Sequence, residues 1–300
     1  SGSEIARKLR AERLIRSPFV FQTYVLLSGN SKNLKAGTYI LSSNMSLFTI
    51  AGKLAAGNII TENITILEGW SLKNIAKEFE DRELFSQEEF FEITGLPGLD
   101  YREHPDMPLP MDFSEEFSFL KKKPDYVSLE GFLFPDTYQI TRDDTPEDVV
   151  RRILRNFQEH IPEGLAAKIK DEDSSFFDLL IMASLIEKEV RSLADKKLVS
   201  GVLWKRLAHN MRLQVDATVV YIREGNYKIV SIDETRTESP YNTYLAYGLP
   251  PGPISNPGIE SMIAALEPEE SPYWYYLSPS INSTVFSKTF EEHKTNKARY

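Results

Sequence analysis

The stretch Phe176–Arg191, reading FFDLLIMASLIEKEVR, constrains this chain more than any other. Leu179, Met182, Leu185, Ile186 and Val190 recur at helical spacing and define an apolar stripe. The stretch carries two glutamates close to its end. At about 100° per residue, Glu187 and Glu189 point roughly 160° apart around the helix. Glu187 falls beside Ser184, Lys188 and Arg191, the polar side. Glu189 falls between Leu185 and Ile186 and close to Met182, the side expected to be buried. A buried carboxylate is costly unless it is paired or protonated. A carboxyl in an apolar setting has a raised pKa and can serve as a general acid near neutral pH. The competing reading is a helix-end glutamate bonded to a lysine or arginine, because structural ion pairs also perturb carboxylates.

The rest of the composition narrows the classes of function. The net charge of -9 argues against general affinity for nucleic acid or an anionic membrane. The absence of cysteine excludes disulfides and thiolate metal sites. His104, His160, His209 and His293 are scattered without metal-ligand spacing, so no metal and no cofactor is expected. No run of 18 apolar residues is present to span a bilayer; Phe19–Leu27 is too short and holds Gln22 and Thr23. Ser1-Gly2-Ser3 reads as a cloning remnant, so the natural chain is expected to begin further upstream.

Along the chain, Glu4–Leu14 reads as a short amphipathic helix, and Ser17-Pro18 as the cap and first residue of a second, ending near Leu27. Lys35–Leu41 is expected to be a turn and a strand, Ser46–Ala56 a helix stopped by Gly57-Asn58, and Ile59–Leu67 a strand. These form a small α/β module over residues 1–66. Helices are expected over Ser71–Glu80 and Ser86–Thr94. Five prolines and two glycines between Gly95 and Pro124 mark an irregular segment, about 95–128. Helices follow at Pro146–His160, Glu163–Lys170, the organising stretch, Asp195–His209, Asp216–Glu224 and Ile259–Leu266. Tyr273–Ser278 and Thr284–Ser287 suit a hairpin, and the loop from Ser239 suits a cleft wall.

Several stretches together carry a resemblance that spans nearly the whole chain. They are LKAGTYIL at 34–41, LEGFLFPDTY at 129–138, MASLIEKEV at 182–190, VLWKRLAHNMRLQVDATVVY at 202–221 and SPYNTYLAYGLPPGPISNPGIESMIAAL at 239–266. In these the chain resembles the MltG (YceG-like) family of endolytic murein transglycosylases. The resemblance implies an α+β protein: a LysM-like N-terminal module over 1–66, then a larger, mainly helical catalytic domain over 67–300 with short strands, related to lytic transglycosylases. It implies a lyase that cuts peptidoglycan glycan strands and works beside cell-wall synthases. The expected location is the extracytoplasmic face of the bacterial membrane, on an N-terminal anchor not included here. It also assigns the catalytic role to the second glutamate of EKE, Glu189, which the helical geometry had already set apart from Glu187. Two departures stand out: Val190 where the family usually has Thr or Ser, and Ala217 where it tends to have proline.

The resembled enzymes let the sugar's own C6 hydroxyl attack C1, an intramolecular step with high effective molarity. One carboxyl then suffices as acid and afterwards as base, where glycoside hydrolases usually need two. Gln214 and Asp216 are candidates for binding acetamido and hydroxyl groups, although Asp216 is equally suited to capping a helix. Tyr241, Asn242, Thr243 and Tyr244 offer aromatic faces and amide groups, or simply a packed turn. Glu130, Asp136 and Tyr138 form a second polar group: Glu130 and Tyr138 are candidates for binding substrate, Glu130 or Asp136 is the runner-up acid, and loop bonding is the ordinary alternative, favoured for Asp136 next to Pro135. Two competing functions remain: a non-catalytic wall-binding scaffold, and a water-using muramidase.

Overall fold

The computed structural model describes residues 2–57, 61–170, 175–223, 230–280 and 283–300. Asn58, Ile59 and Glu224, named above at element ends, lie outside the described residues. The chain divides into two compact units: residues 1–64 with 138–145, and residues 65–137 with 146–300.

The first unit opens with α1 (Gly2–Ala11) and α2 (Pro18–Leu27). Ser17 caps α2 by accepting from the Val20 N–H, and Pro18 occupies the position where no N–H is needed. In α3 (Leu47–Ala56) the Ser46 hydroxyl accepts from Thr49 at 3.1 Å, and Gly57, at φ 71°, ends the helix. Ala6, Leu9, Phe21, Val25, Ile50 and Leu54 from these helices meet in one core. The expected strand at 38–41 does not form. Lys35 N–H bonds Leu54 O at 3.1 Å and the Tyr39 hydroxyl donates to Lys35 O at 2.8 Å, so this segment is pinned to the end of α3 and has no ladder partner. The strand β1 (Thr61–Thr65) pairs instead with β2 (Thr137–Thr141), supplied from far along the chain. Arg142 and Glu62 are ion-paired at 3.2 Å beside this ladder.

In the second unit, α4 (Leu72–Asp81) and α5 (Gln87–Thr94) each start in a capping box, Ser71 with Asn74 and Ser86 with Glu89. The segment that follows has only one short 3₁₀ turn, Ser118–Lys122, as the proline density implies. It is nevertheless anchored: Phe119 sits 5.0 Å from Phe157 and 6.0 Å from Phe132, and Phe132 stacks on Phe177. Helices α6 (Pro146–His160), α7 (Glu163–Lys170), α8 (Ser175–Glu189), α9 (Leu193–Ala208), α10 (Asp216–Ile222) and α11 (Ile259–Leu266) follow. A hairpin of β3 (Tyr275–Ser280) and β4 (Ser283–Ser287) leads into α12 (Phe290–Arg299), a helix that the sequence pattern alone does not announce.

The organising stretch is α8, and it is more deeply buried than an amphipathic stripe requires. Leu180, Ile181, Met182, Ala183, Ser184, Leu185 and Ile186 are all buried. A helix covered on all sides is central by necessity, and α8 packs against α9, α10 and α11. Gly131 of the LEGF stretch shows why glycine stands there. Its φ is +90°, and a Cβ would come within 2.6 Å of Pro253 from the proline-rich loop. No helix among the described residues is long and apolar enough to cross a membrane.

Candidate active site

Glu187 stands on the polar side of α8, where Lys188 and Arg191 are exposed, but its carboxylate is turned in against α9 and α11. The Glu187 side chain is 8% exposed and lies 3.4 Å from the Lys196 ammonium. It also accepts from the Ser261 hydroxyl at 2.6 Å and the Gly258 N–H at 3.0 Å. Glu187 is thus a fully engaged structural carboxylate. The ion-pair reading offered for one glutamate of this helix applies to Glu187.

Glu189, the last residue of α8, is only half-buried. Burial pushes its carboxyl up to about 7. A hydrogen bond from the Tyr276 hydroxyl, the Arg206 charge and the Ala217 N–H temper that rise, while the Asp216 charge adds to it. These partners come from three elements: β3 brings Tyr276, α9 brings Arg206, and the first turn of α10 brings Asp216 and Ala217. Arg206 ties them together. Its Nε donates to Trp274 O at 2.9 Å and its Nη1 to Leu213 O at 2.6 Å, and its guanidinium lies 5.1 Å from the Tyr275 ring centre. One buried cation therefore fixes both the hairpin and the turn that leads into α10.

The turn itself is shaped by Gln214, at φ 54°, whose N–H bonds Thr243 O at 3.1 Å. Thr243 is buried; its hydroxyl accepts from Val215 N–H at 2.9 Å and meets the Thr218 hydroxyl at 3.0 Å. Asn242 is also buried, and its amide is occupied by Thr235 O, Thr237 O and Tyr244 N–H. Tyr241 is buried with its ring 5.3 Å from that of Tyr221. These three side chains hold the loop that carries Tyr244, and the Tyr244 hydroxyl donates to Asp216. Gln214 and Asp216 are exposed, so they are the polar groups of this region open to a ligand.

The second polar group is not assembled with Glu189. Glu130 is 2% exposed and accepts from Leu72 N–H, the Tyr221 hydroxyl at 3.1 Å and the Asn256 amide at 3.1 Å. Burial lifts its carboxyl to about 8 despite these donors. Asp136 bonds its own loop through Thr137 N–H and reaches Asn156, which is the loop-bonding alternative stated for it. Tyr138 is buried in β2 and belongs to the first unit, whereas Glu189 belongs to the second. Among the described residues, no group of three or more His, Asp or Glu side chains is placed to hold a metal ion.

Sequence reasoning did not single out Tyr276 or Arg206. For Arg206 a signal existed: it continues the Val199, Val202, Leu203 spacing of α9, so its position lies on the buried face. For Tyr276 none existed, because nothing local says which face of a hairpin meets a helix end about ninety residues earlier in the chain.

Known proteins resemble this chain over nearly its whole length. An endolytic murein transglycosylase of Bacillus subtilis is 35% identical over 306 residues, covering 100% of this chain and 82% of that protein. One of Streptococcus pneumoniae is 27% identical over 314 residues, covering 99% of this chain and 56% of that longer protein. The solved structure of a YceG-like protein from Listeria monocytogenes superposes with a TM-score of 0.63 at 31% identity, over 98% of this chain and 95% of that one. With the YceG-like family model matching residues 1–299, the chain belongs to the YceG-like family.

Proposed function

We propose that this protein is a lytic murein transglycosylase, a lyase, that cuts the MurNAc-GlcNAc bond within peptidoglycan strands with Glu189 as its single acid and base. The observation that carries the reading is the state of that carboxyl: half-buried, held near 7, and braced by Tyr276, Arg206 and the Ala217 N–H. At neutral pH it is a mixture of acid and base, which suits a group that must give and then take a proton. Glu189 first protonates the leaving glycosidic oxygen. As the bond to C1 breaks, the C6 hydroxyl of the same sugar attacks C1, and Glu189 removes its proton. The ring closes as 1,6-anhydro-MurNAc and the enzyme is regenerated. Gln214 and Asp216 bind substituents of the sugar, with Tyr244 orienting Asp216. Tyr241, Asn242 and Thr243 act by shaping the loop, and Glu130 acts by fixing the start of α4. The names and extent of the relatives support this activity.

The same reading takes residues 1–66 as a LysM-like module and 67–300 as the catalytic domain. It places the protein outside the cytoplasmic membrane, tethered there, in company with cell-wall synthases. The proximity of Asp216 to Glu189 is the observation that favours a second reading, a muramidase in which Asp216 assists a water. Mass spectrometry of glycan digested by the purified chain decides between them. Anhydro-MurNAc ends are expected. Reducing ends, heavier by one water, would establish the muramidase, and no cleavage would leave a wall-binding protein.

A further inference from the structure

In the first unit, α2 has two apolar faces and only one of them is covered. Phe21 and Val25 turn into the core. On the opposite side Phe19 is 76% exposed, Leu26 67% and Leu27 81%, with Val20 beside them. Phe48, at the start of α3, is exposed next to this face, with its ring edge-on to Tyr24 at 4.8 Å. Gln22 and Thr23 interrupt this side, but its other residues are large and apolar, a pattern found where something other than water covers a helix.

Charge indicates what that cover is. The chain as a whole carries -9, but α1 and the link into α2 hold Arg7, Lys8, Arg10, Arg13 and Arg16 against only Glu4 and Glu12. All five cations are exposed. Lys8 and Arg10 suit the C-terminal end of α1, where cations are favoured. Arg13, two residues past the end of α1, is favoured there in the same way, but Arg16 lies just before the N-terminus of α2, where the helix dipole disfavours positive charge. An exposed apolar stripe containing Phe and Leu, directly preceded in the chain by exposed basic residues, matches an interfacial helix on an anionic lipid surface.

We infer that the exposed face of α2, with the basic residues of α1 and the 12–17 link, docks the first unit against an anionic lipid bilayer. The apolar side chains enter the boundary between headgroups and acyl chains while the arginines contact lipid phosphates. Contact of this kind holds the first unit flat against the membrane whether or not the chain is also tethered elsewhere.

Flotation of the full 300-residue chain with phosphatidylglycerol vesicles and with phosphatidylcholine vesicles tests this. Binding is expected to the anionic vesicles, weakening as salt rises, and to be much weaker to the zwitterionic ones. Leu26→Ser with Leu27→Ser is expected to lower binding by about tenfold or more, from the lost apolar burial. Arg13→Gln with Arg16→Gln is expected to weaken binding and flatten its salt dependence. Because these side chains are exposed, thermal unfolding and cleavage of soluble glycan are expected to stay unchanged in both variants. Three results would overturn the inference: no binding to either vesicle, binding that the serine substitutions leave intact, or a concentration-dependent dimer or attachment to purified sacculi that those substitutions abolish while vesicle binding is absent.

Discussion

The surroundings of Glu130 and of Glu189 share one property and differ in another. Both carboxyls are lifted by burial, to about 8 and about 7. Glu130 is sealed in, with Leu72 N–H, Tyr221 and Asn256 donating to it, and it joins the start of α4 to the loop around Asn256. Glu189 is half-buried and lies near the exposed Asp216. A raised pKa therefore marks burial in both places. Under the proposed mechanism, what separates the two is access, since a proton donor must come within hydrogen-bond reach of its substrate. Glu187 sharpens the contrast further, being a third carboxyl on the same helix as Glu189 and fully engaged by Lys196, Ser261 and Gly258.

The largest effect should come from Glu189→Gln. Loss of acid and base assistance is worth roughly 10²- to 10⁴-fold for a single step, so with both steps lost anhydro-product should fall below detection. The melting temperature should hold or rise slightly, because a carboxyl that prefers to be neutral becomes permanently neutral. A large drop in melting temperature, or surviving cleavage, would erase the distinction between the two glutamates.

Glu130→Ala should show the opposite pattern. It strips partners from three buried donors, at a cost on the order of 3 kcal/mol or more. Thermal unfolding should move down by several degrees, while the molecules that stay folded keep cleaving. Full stability with lost cleavage would make Glu130 the acid.

A smaller effect concerns pH. Both folded pKa values lie above the ordinary 4.5 of a glutamate, so the folded state holds more protons than the unfolded one between these limits. This contribution to stability is complete below about 4.5 and is lost as pH rises, through about 7 for Glu189 and about 8 for Glu130. Unfolding measured across this range should show the decline. Glu189→Gln should remove the part that ends near 7 and leave the part that ends near 8. In parallel, wild-type cleavage should fall above about 7 as the acid loses its proton. A stability curve that Glu189→Gln leaves unchanged would show that its carboxyl is not held up by burial.

The smallest effect is expected for Tyr276→Phe. Removing this donor withdraws support from the carboxylate form, so the Glu189 pKa should rise and the alkaline limb of the rate profile should shift upward. The maximal rate should change by no more than about tenfold, in line with one hydrogen bond to a charged group. An unmoved pH profile would show that Tyr276 does not set the protonation of Glu189.

Much of the local structure was legible because its causes are local. The Ser17-Pro18 start of α2, the Ser46 cap and Gly57 stop of α3, and the span Ile259–Leu266 follow from the preferences of a few adjacent residues. The strand expected at 38–41 failed for the converse reason. Its β-branched and aromatic residues suit a ladder, but a ladder also needs a partner, and the partner of β1 comes from 137–141. In the candidate site, the divergence of Glu189 and Glu187 toward different partners was readable from helical direction. The partners of Glu187 on that polar side were not, because Lys196, Gly258 and Ser261 are brought to it by packing.

By itself, the sequence determined where α8 runs, that Glu187 and Glu189 diverge on it, and which residues stand nearest the start of α10. These follow from backbone geometry with a range of one or two helical turns. Tertiary structure alone decided that Glu187 is an internal ion pair, that Glu130 is sealed while Glu189 is half-buried, and that Tyr276 and Arg206 approach Glu189 from other elements. The reason is that desolvation and hydrogen bonding depend on which atoms displace water around a carboxyl. Those atoms come from segments far apart in the chain, and only packing brings them together.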